Sequence, residues 1–412
     1  MITRLWLALA VLLILNGCEM RFGAQPTATL APTDPPPAPV TVVVWAQAGN
    51  LFLWRDSDPT IDTIATGAVI APYLAPDGSR VAFTRGAQGD ARALWSVNID
   101  GTGEQELVAP DLIPSIRGGH PQINQVGWLD SQTVYFNTLQ QHDSGSVKDD
   151  NLYRVQLGSA PQLILPPGAG GDFALSPKGQ HIAVTTAGAY DIQEGRISVL
   201  DLLGVEIADK LSFTALSAPN EPPFYLPLAW NSESTYLRVP VPDRASDRVA
   251  LWRIPVEGDP QIFGYISSLR EGLPIWSRLP FAADDQMLYL DDTDAGAVEL
   301  ILARANGESP QVYASSTYSA GGIPSFRWLP DGERFVYERD EKLWQGMAGY
   351  PPSLLLDPVP ERIVFLPDGP FVYIAEDTLR LGFHLDGGTH STVIADVPAG
   401  TPFDAALVTP AP

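Results

Sequence analysis

"APDGSRVAF", residues 75–83, sets a tight turn between two apolar runs, and its reading decides the fold. Pro76 presets the first turn dihedral, the Asp77 carboxylate can accept from a backbone N–H nearby, and Gly78 takes a positive φ without a Cβ penalty. The stretch returns as "LPDGERFVY" (329–337) and "LPDGPFVYI" (366–374). Looser copies with the same internal spacing are "LDSQTVYF" (129–136), "SPKGQHIAV" (176–184), "NSESTYLRV" (231–239) and "ADDQMLYL" (283–290). Each reads as strand, turn, strand.

A second element follows each turn after a variable loop: "LWSV" at 94, "LYRV" at 152, "ISVL" at 197, "LWRI" at 251, "LILA" at 300, "LWQG" at 343 and "LRLG" at 379. An eighth copy, "LFLW" at 51, has no turn motif before it. The positions aligned with Pro76 recur about every 48 residues, and repeats of about 40–50 residues holding four short strands are propeller blades. Runs such as "VVVW" and "TVYF" are apolar at consecutive positions, as expected of strands covered on both faces by neighbouring blades. With 39 prolines and 36 glycines, the chain is punctuated too often for long helices. The orphan copy is explained by ring closure. Three strands near 42–46, 51–54 and 62–65 pair with "FDAALV" (403–408) to complete one blade from both ends of the repeat region. The expectation is an all-β, single β-propeller of eight four-stranded blades, with seven as the alternative if one weak copy is miscounted.

The first repeat, "APDGSRVAF" followed by "LWSVNIDGTGEQELV" (94–108), resembles the TolB-like and WD-repeat-like propellers, whose blades combine a Pro-Asp-Gly hairpin with a Leu-Trp or Leu-Tyr strand ending in Asp-Gly. The resemblance spans 41–408 and is sharpest in the first and last two turn motifs. It implies the fold and an extracytoplasmic binding platform. TolB itself has an additional N-terminal domain and usually six blades; here a Pro-rich stretch runs straight into strands.

Upstream, "MITRLWLALAVLLIL" carries Arg4 followed by eleven uncharged residues, 5–15. A bilayer span needs roughly 20 apolar residues, so this is read as a secretory signal over 1–17. "Leu15-Asn16-Gly17-Cys18" resembles a bacterial lipobox, with Asn16 in place of the usual Ala or Ser, and implies lipid attachment at Cys18, the single cysteine. The alternative is an ordinary signal or short anchor with an inconsequential thiol. Residues 18–40 include "AQPTATLAPTDPPPAP", whose prolines favour an extended stalk. The propeller then covers 41–408 and a short tail 409–412. Against 48 acidic residues stand 25 basic ones, a net charge of −23, which argues against nucleic acid as a partner. The same acidity also serves solubility alone.

In a propeller, the turns within the repeat motif and those after the Leu-Trp strands share one face; longer connections gather on the other, where function is usually built. Acid-rich loops expected there nominate Asp149, Asp150, Asp191, Glu194, Asp243, Asp247, Asp291 and Asp292 as a partner face, with Tyr225, Trp276 and Arg278 from interblade loops. Such a rim suits a protein, basic peptide or glycan, although loop carboxylates can simply keep water. Asp292 and Asp294 have calcium-loop spacing, but Gly296 occupies the fifth position, where an oxygen donor is usual. The five histidines are scattered and the chain implies no cofactor. No G-x-S-x-G elbow occurs. Trp54, Trp95, Tyr153, Trp252 and Trp344 are expected at one strand position, packing between blades. A monomeric, lipid-tethered, non-catalytic binding propeller is the leading expectation; a glycoside-cleaving enzyme with paired carboxylates in the central channel is the alternative. Three or more convergent charged residues in one deep axial pocket would favour the enzyme, and scattered surface charges would favour binding.

Overall fold

In a computed structural model, the described residues are 38–87, 90–187, 194–207, 211–214, 223–243, 248–267, 274–277, 286–293, 295–385 and 388–409. Cys18, the lipobox and most of the stalk lie outside them. The chain folds into eight antiparallel sheets arranged in a ring, a β-propeller. Numbering blades in chain order, blade 1 takes strands from 40–66 and Phe403–Val408, and blades 2 to 8 span 69–108, 120–165, 172–214, 229–267, 275–317, 326–356 and 363–396. Each has four strands, with blade 3 carrying one extra short strand. The count is eight, and the seven-blade alternative falls.

Closure follows the expected route. Val40–Gln47 pairs on one side with Asn50–Arg55 and on the other with Phe403–Val408, placing Val43 opposite Ala405. The returning strand is the innermost of blade 1, and Asp404 Oδ2 accepts the Leu74 N–H at 2.8 Å, tying it to the inner strand of blade 2. Gly78 sits under this closure: its φ is +67°, and a Cβ there would lie 2.3 Å from Val408 Cγ2.

The repeated turns form for the reasons their residues suggest. In the first copy Gly78 N–H donates to Ala75 O and the Asp77 carboxylate accepts the Ser79 N–H at 3.0 Å; Asp331 repeats this with the Glu333 N–H at 2.9 Å. "LPDGP" behaves differently. Pro370 has no N–H to offer Asp368, the loop closes one residue earlier, and both Asp368 (φ 63°) and Gly369 (φ 107°) become left-handed.

Eight clusters of buried apolar side chains hold the ring, one at each blade junction. No blade has a core of its own, so stability belongs to the stacked ring. The second strands are buried along consecutive positions: Val81, Ala82 and Phe83, like Val134, Tyr135 and Phe136, are fully buried. Indole N–H groups link alternate junctions, with Trp128 donating to Tyr73 O, Trp230 to Ala174 O and Trp328 to Ile275 O, each at 2.9–3.1 Å. Trp95, Tyr153, Trp252 and Trp344 pack toward the preceding blade. In blade 1 that position belongs to Phe52, opposite Trp45 and stacked on it at 5.4 Å. Trp54 lies two residues further along, buried at the same junction.

Candidate functional site

The loop face is shaped first by blade 3, whose first two strands, His120–Asp130 and Thr133–His142, overshoot the sheet and carry the extra strand Gly145–Lys148. An overshooting hairpin exposes polar backbone and side chains, which need partners once buried. Asn137, Thr138, Gln140, Asp149 and Asn151 are all buried at its base. The Asp149 carboxylate accepts from Thr138 Oγ1 at 2.5 Å and Gln140 Nε2 at 2.9 Å. Asn151 Oδ1 accepts the Thr138 N–H, and its Nδ2 donates to Thr138 Oγ1. Asp149, 8% exposed, therefore anchors the hairpin from below instead of meeting solvent.

Above it, residues from blades 3 and 4 and from the connection between blades 4 and 5 converge. Tyr225, in the connection between blades 4 and 5, donates its hydroxyl to Asp150 Oδ1 at 2.6 Å. The Lys148 ammonium lies 3.9 Å from the Tyr225 ring centroid and 2.5 Å from Asp172 Oδ1. Burial pushes the Asp150 carboxyl up to about 6, with the Tyr225 hydrogen bond and Lys148 opposing the shift. Burial, reinforced by Asp150, raises the Tyr225 phenol as well. The result is a carboxylate that titrates in mildly acidic solution beside an aromatic ring already occupied by a cation.

The other nominated residues are dispersed. Glu194 begins the third strand of blade 4 and is exposed, and Asp243 ends the second strand of blade 5. In blade 6, Asp291 accepts from Ser267 Oγ at 3.1 Å and Asp292 receives the Tyr318 hydroxyl. Trp276 lies in the core between blades 5 and 6, its indole donating to Ala305 O at 2.9 Å. Asp191, Asp247, Arg278 and Asp294 lie outside the described residues. Among the described residues, no group of three or more His, Cys, Asp or Glu side chains is placed to hold a metal ion.

Two adjoining clefts at blades 7 and 8 were not signalled by the sequence reading. One, of about 680 Å³, is lined by Arg327, Glu338, Glu361 and Arg362 together with Ser325, Phe326 and aliphatic residues. The other, also of about 680 Å³, shares Glu338 and Val359 with it and is lined by Asp340 and Glu341. Arg327 comes from the inner strand of blade 7, donates to Ile363 O at 3.2 Å and lies over the Phe365 ring of blade 8. It is exposed, yet the cleft walls desolvate it enough to lower its pKa against the pull of Glu338. A guanidinium that is crowded by protein and still reached by water marks a concave site. Arg362, at the entrance to the inner strand of blade 8, lies over the Phe403 ring. Arg327 and Arg362 stand 35 positions apart in sequence with ordinary neighbours, "SFRW" and "PERI", so nothing local distinguished them.

No protein-family model and no curated protein matches the sequence. Solved structures do share its architecture. A eukaryotic initiation factor superposes with a TM-score of 0.51 at 10% identity, over 90% of this chain and 99% of that one. Prolyl oligopeptidase B from Galerina marginata gives 0.50 at 11% identity, over 80% of this chain and 50% of that one. At such identities the likeness establishes a β-propeller and nothing of its chemistry.

Proposed function

We propose that the protein is an extracytoplasmic, membrane-tethered propeller of the TolB-like type that captures a protein, peptide or glycan on its loop face and catalyses no reaction. The observation that carries this reading is the inequality of the two faces. One consists of short self-bonded turns such as 75–79 and 329–333; the other presents the blade 3 hairpin, the Asp150–Tyr225 cluster and the clefts at blades 7 and 8. The tether rests on Leu15-Asn16-Gly17-Cys18 and the Pro-rich stretch behind it. Replacing Cys18 with Ser is expected to move the protein from the membrane fraction to the soluble one; unchanged fractionation removes the tether. For the binding face, the triple variant Glu194→Lys, Asp243→Lys, Asp291→Lys is expected to lose the partners that wild type captures from solubilised envelopes, and an unchanged capture profile removes these loops from the reading.

One observation favours the glycoside-cleaving alternative: Glu338 and Glu361 line a single cleft together with two arginines. That alternative predicts turnover of chromogenic glycosides, abolished by Glu338→Gln or Glu361→Gln. Absence of turnover by wild type discards it.

A further inference from the structure

We infer that the cleft between blades 7 and 8 binds the free C-terminal carboxylate of a peptide ending in an aliphatic residue. The inference builds on the reading of this face as a binding surface, but it concerns a different site from the acidic loops. Arg327 and Arg362 supply the anion-binding groups. Neither has a carboxylate oxygen within 4 Å among the described residues, although Arg85, Arg334 and Arg380 all do. What sets these two guanidiniums apart is that both line a single cleft. A guanidinium offers paired N–H donors that match a carboxylate, and crowding by protein strengthens the interaction by excluding water.

The rest of the lining sets the class of ligand. Val336, Leu343, Val359, Pro360, Ile363 and Val364 form the walls, with Val336 and Leu343 as a buried floor. Apart from Phe326 the apolar part of the lining is aliphatic, which fits the branched side chain of a terminal Val, Leu or Ile. Glu338 and Glu361 stand beside the arginines, and Glu338 is held by Ser325 Oγ at 2.7 Å. Their charges oppose phosphates and other polyanions while leaving the guanidiniums able to hold one monoanion. The neighbouring cleft, with Asp340 and Glu341, extends the acidic side away from the arginines, so the remainder of the peptide would run over negative ground.

Fluorescence anisotropy with an N-terminally labelled Ala-Ala-Ala-Leu peptide tests this directly. The free acid should bind at least about tenfold more tightly than its C-terminal amide, and replacing the terminal Leu with Lys or Asp should weaken it further. Arg362→Ala and Arg327→Ala should each cost about tenfold, and Arg327→Lys should recover only part of that because an ammonium lacks the planar fork. Equal affinity for acid and amide overturns the inference on wild-type protein, whatever the variants do. So does binding of glucuronate oligosaccharides with no binding of peptide. If the arginine variants bind peptide normally while envelope partners are still captured, this inference alone fails. Loss of capture on inverting the acidic loops, with the peptide affinity intact, leaves both standing as separate sites.

Discussion

The loop end of blade 3 and the junction of blades 7 and 8 lie on the same face and are built on opposite principles. At blade 3, polar side chains are numerous, largely buried and bonded to one another: Asp149 Oδ2 accepts from both Thr138 and Gln140, and Lys148 is shared between Asp172 and Tyr225. At blades 7 and 8, four charged side chains, Arg327, Glu338, Glu361 and Arg362, line one cleft beside apolar residues. A dense polar network lowers the free energy of its own loop; charged groups that line an open cleft keep bonding capacity for something else. Acid content therefore marks the first region as conspicuous and says little about which of the two is open for binding.

Removing a member of the blade 3 network should be the most damaging change. Asp149→Ala leaves the Thr138 hydroxyl without its acceptor inside the hairpin base and the Gln140 amide with the Pro114 carbonyl alone. The expected loss is about 2–4 kcal/mol, read from the midpoint of chemical denaturation, with hydrogen exchange rising first across 138–151. A loss under about 0.5 kcal/mol would mean that the network is not structural, and the contrast with blades 7 and 8 would break.

Asp150 should give a smaller effect of opposite sign. Its folded pKa, about 6, lies above the ordinary 3.8, so the native state holds this proton more tightly than the unfolded chain does. The stability contributed by this group is complete below the unfolded value and is lost as pH rises through about 6. Asp150→Asn keeps an oxygen acceptor for Tyr225 and cannot ionise. It is expected to stabilise the protein by about 1–3 kcal/mol near pH 8 and to be close to neutral near pH 4. Equal effects at the two pH values would show that the carboxylate is not desolvated.

How much of this the sequence disclosed depends on range. Turn chemistry is local, so Pro76, Asp77 and Gly78 announced a hairpin, and its recurrence with a Leu-Trp strand announced the ring and its closure by 403–408. Register within "LFLW" was not legible: Phe52 and Trp54 point to the same side of one strand, and only pairing with Trp45 selects Phe52. Acid-rich loops were visible, and a meeting of acidic with aromatic loops was anticipated, as Asp150 and Tyr225 show across 75 positions. Whether an acid is already satisfied was not visible. The partners of Asp149 lie 11 and 9 residues back on the preceding strand, and only the geometry of the overshooting hairpin turns them inward. Arg327 and Arg362 sit in unremarkable contexts and become a pair only when successive blades are packed side by side.

The last consequence is the smallest in stability and the sharpest in meaning. Arg362 is exposed, makes no ion pair within 4 Å among the described residues, lies over the Phe403 ring with 5.2 Å to its guanidinium carbon, and at longer range favours the ionised form of the buried Asp404. Exposed cation–π contacts contribute about 0.5–1 kcal/mol, and truncation also relieves the cost of fixing a long side chain. Arg362→Ala is therefore expected to change stability by no more than about 0.5 kcal/mol in calorimetry, while Asp149→Ala changes it several-fold more. A marked destabilisation by Arg362→Ala would place this arginine in the same class as Lys148, a charge committed to holding its own blade junction. Near-neutrality would show that neither the Phe403 contact nor the pull on Asp404 makes the fold depend on this charge, which is the condition under which a side chain in a cleft is free to serve a ligand.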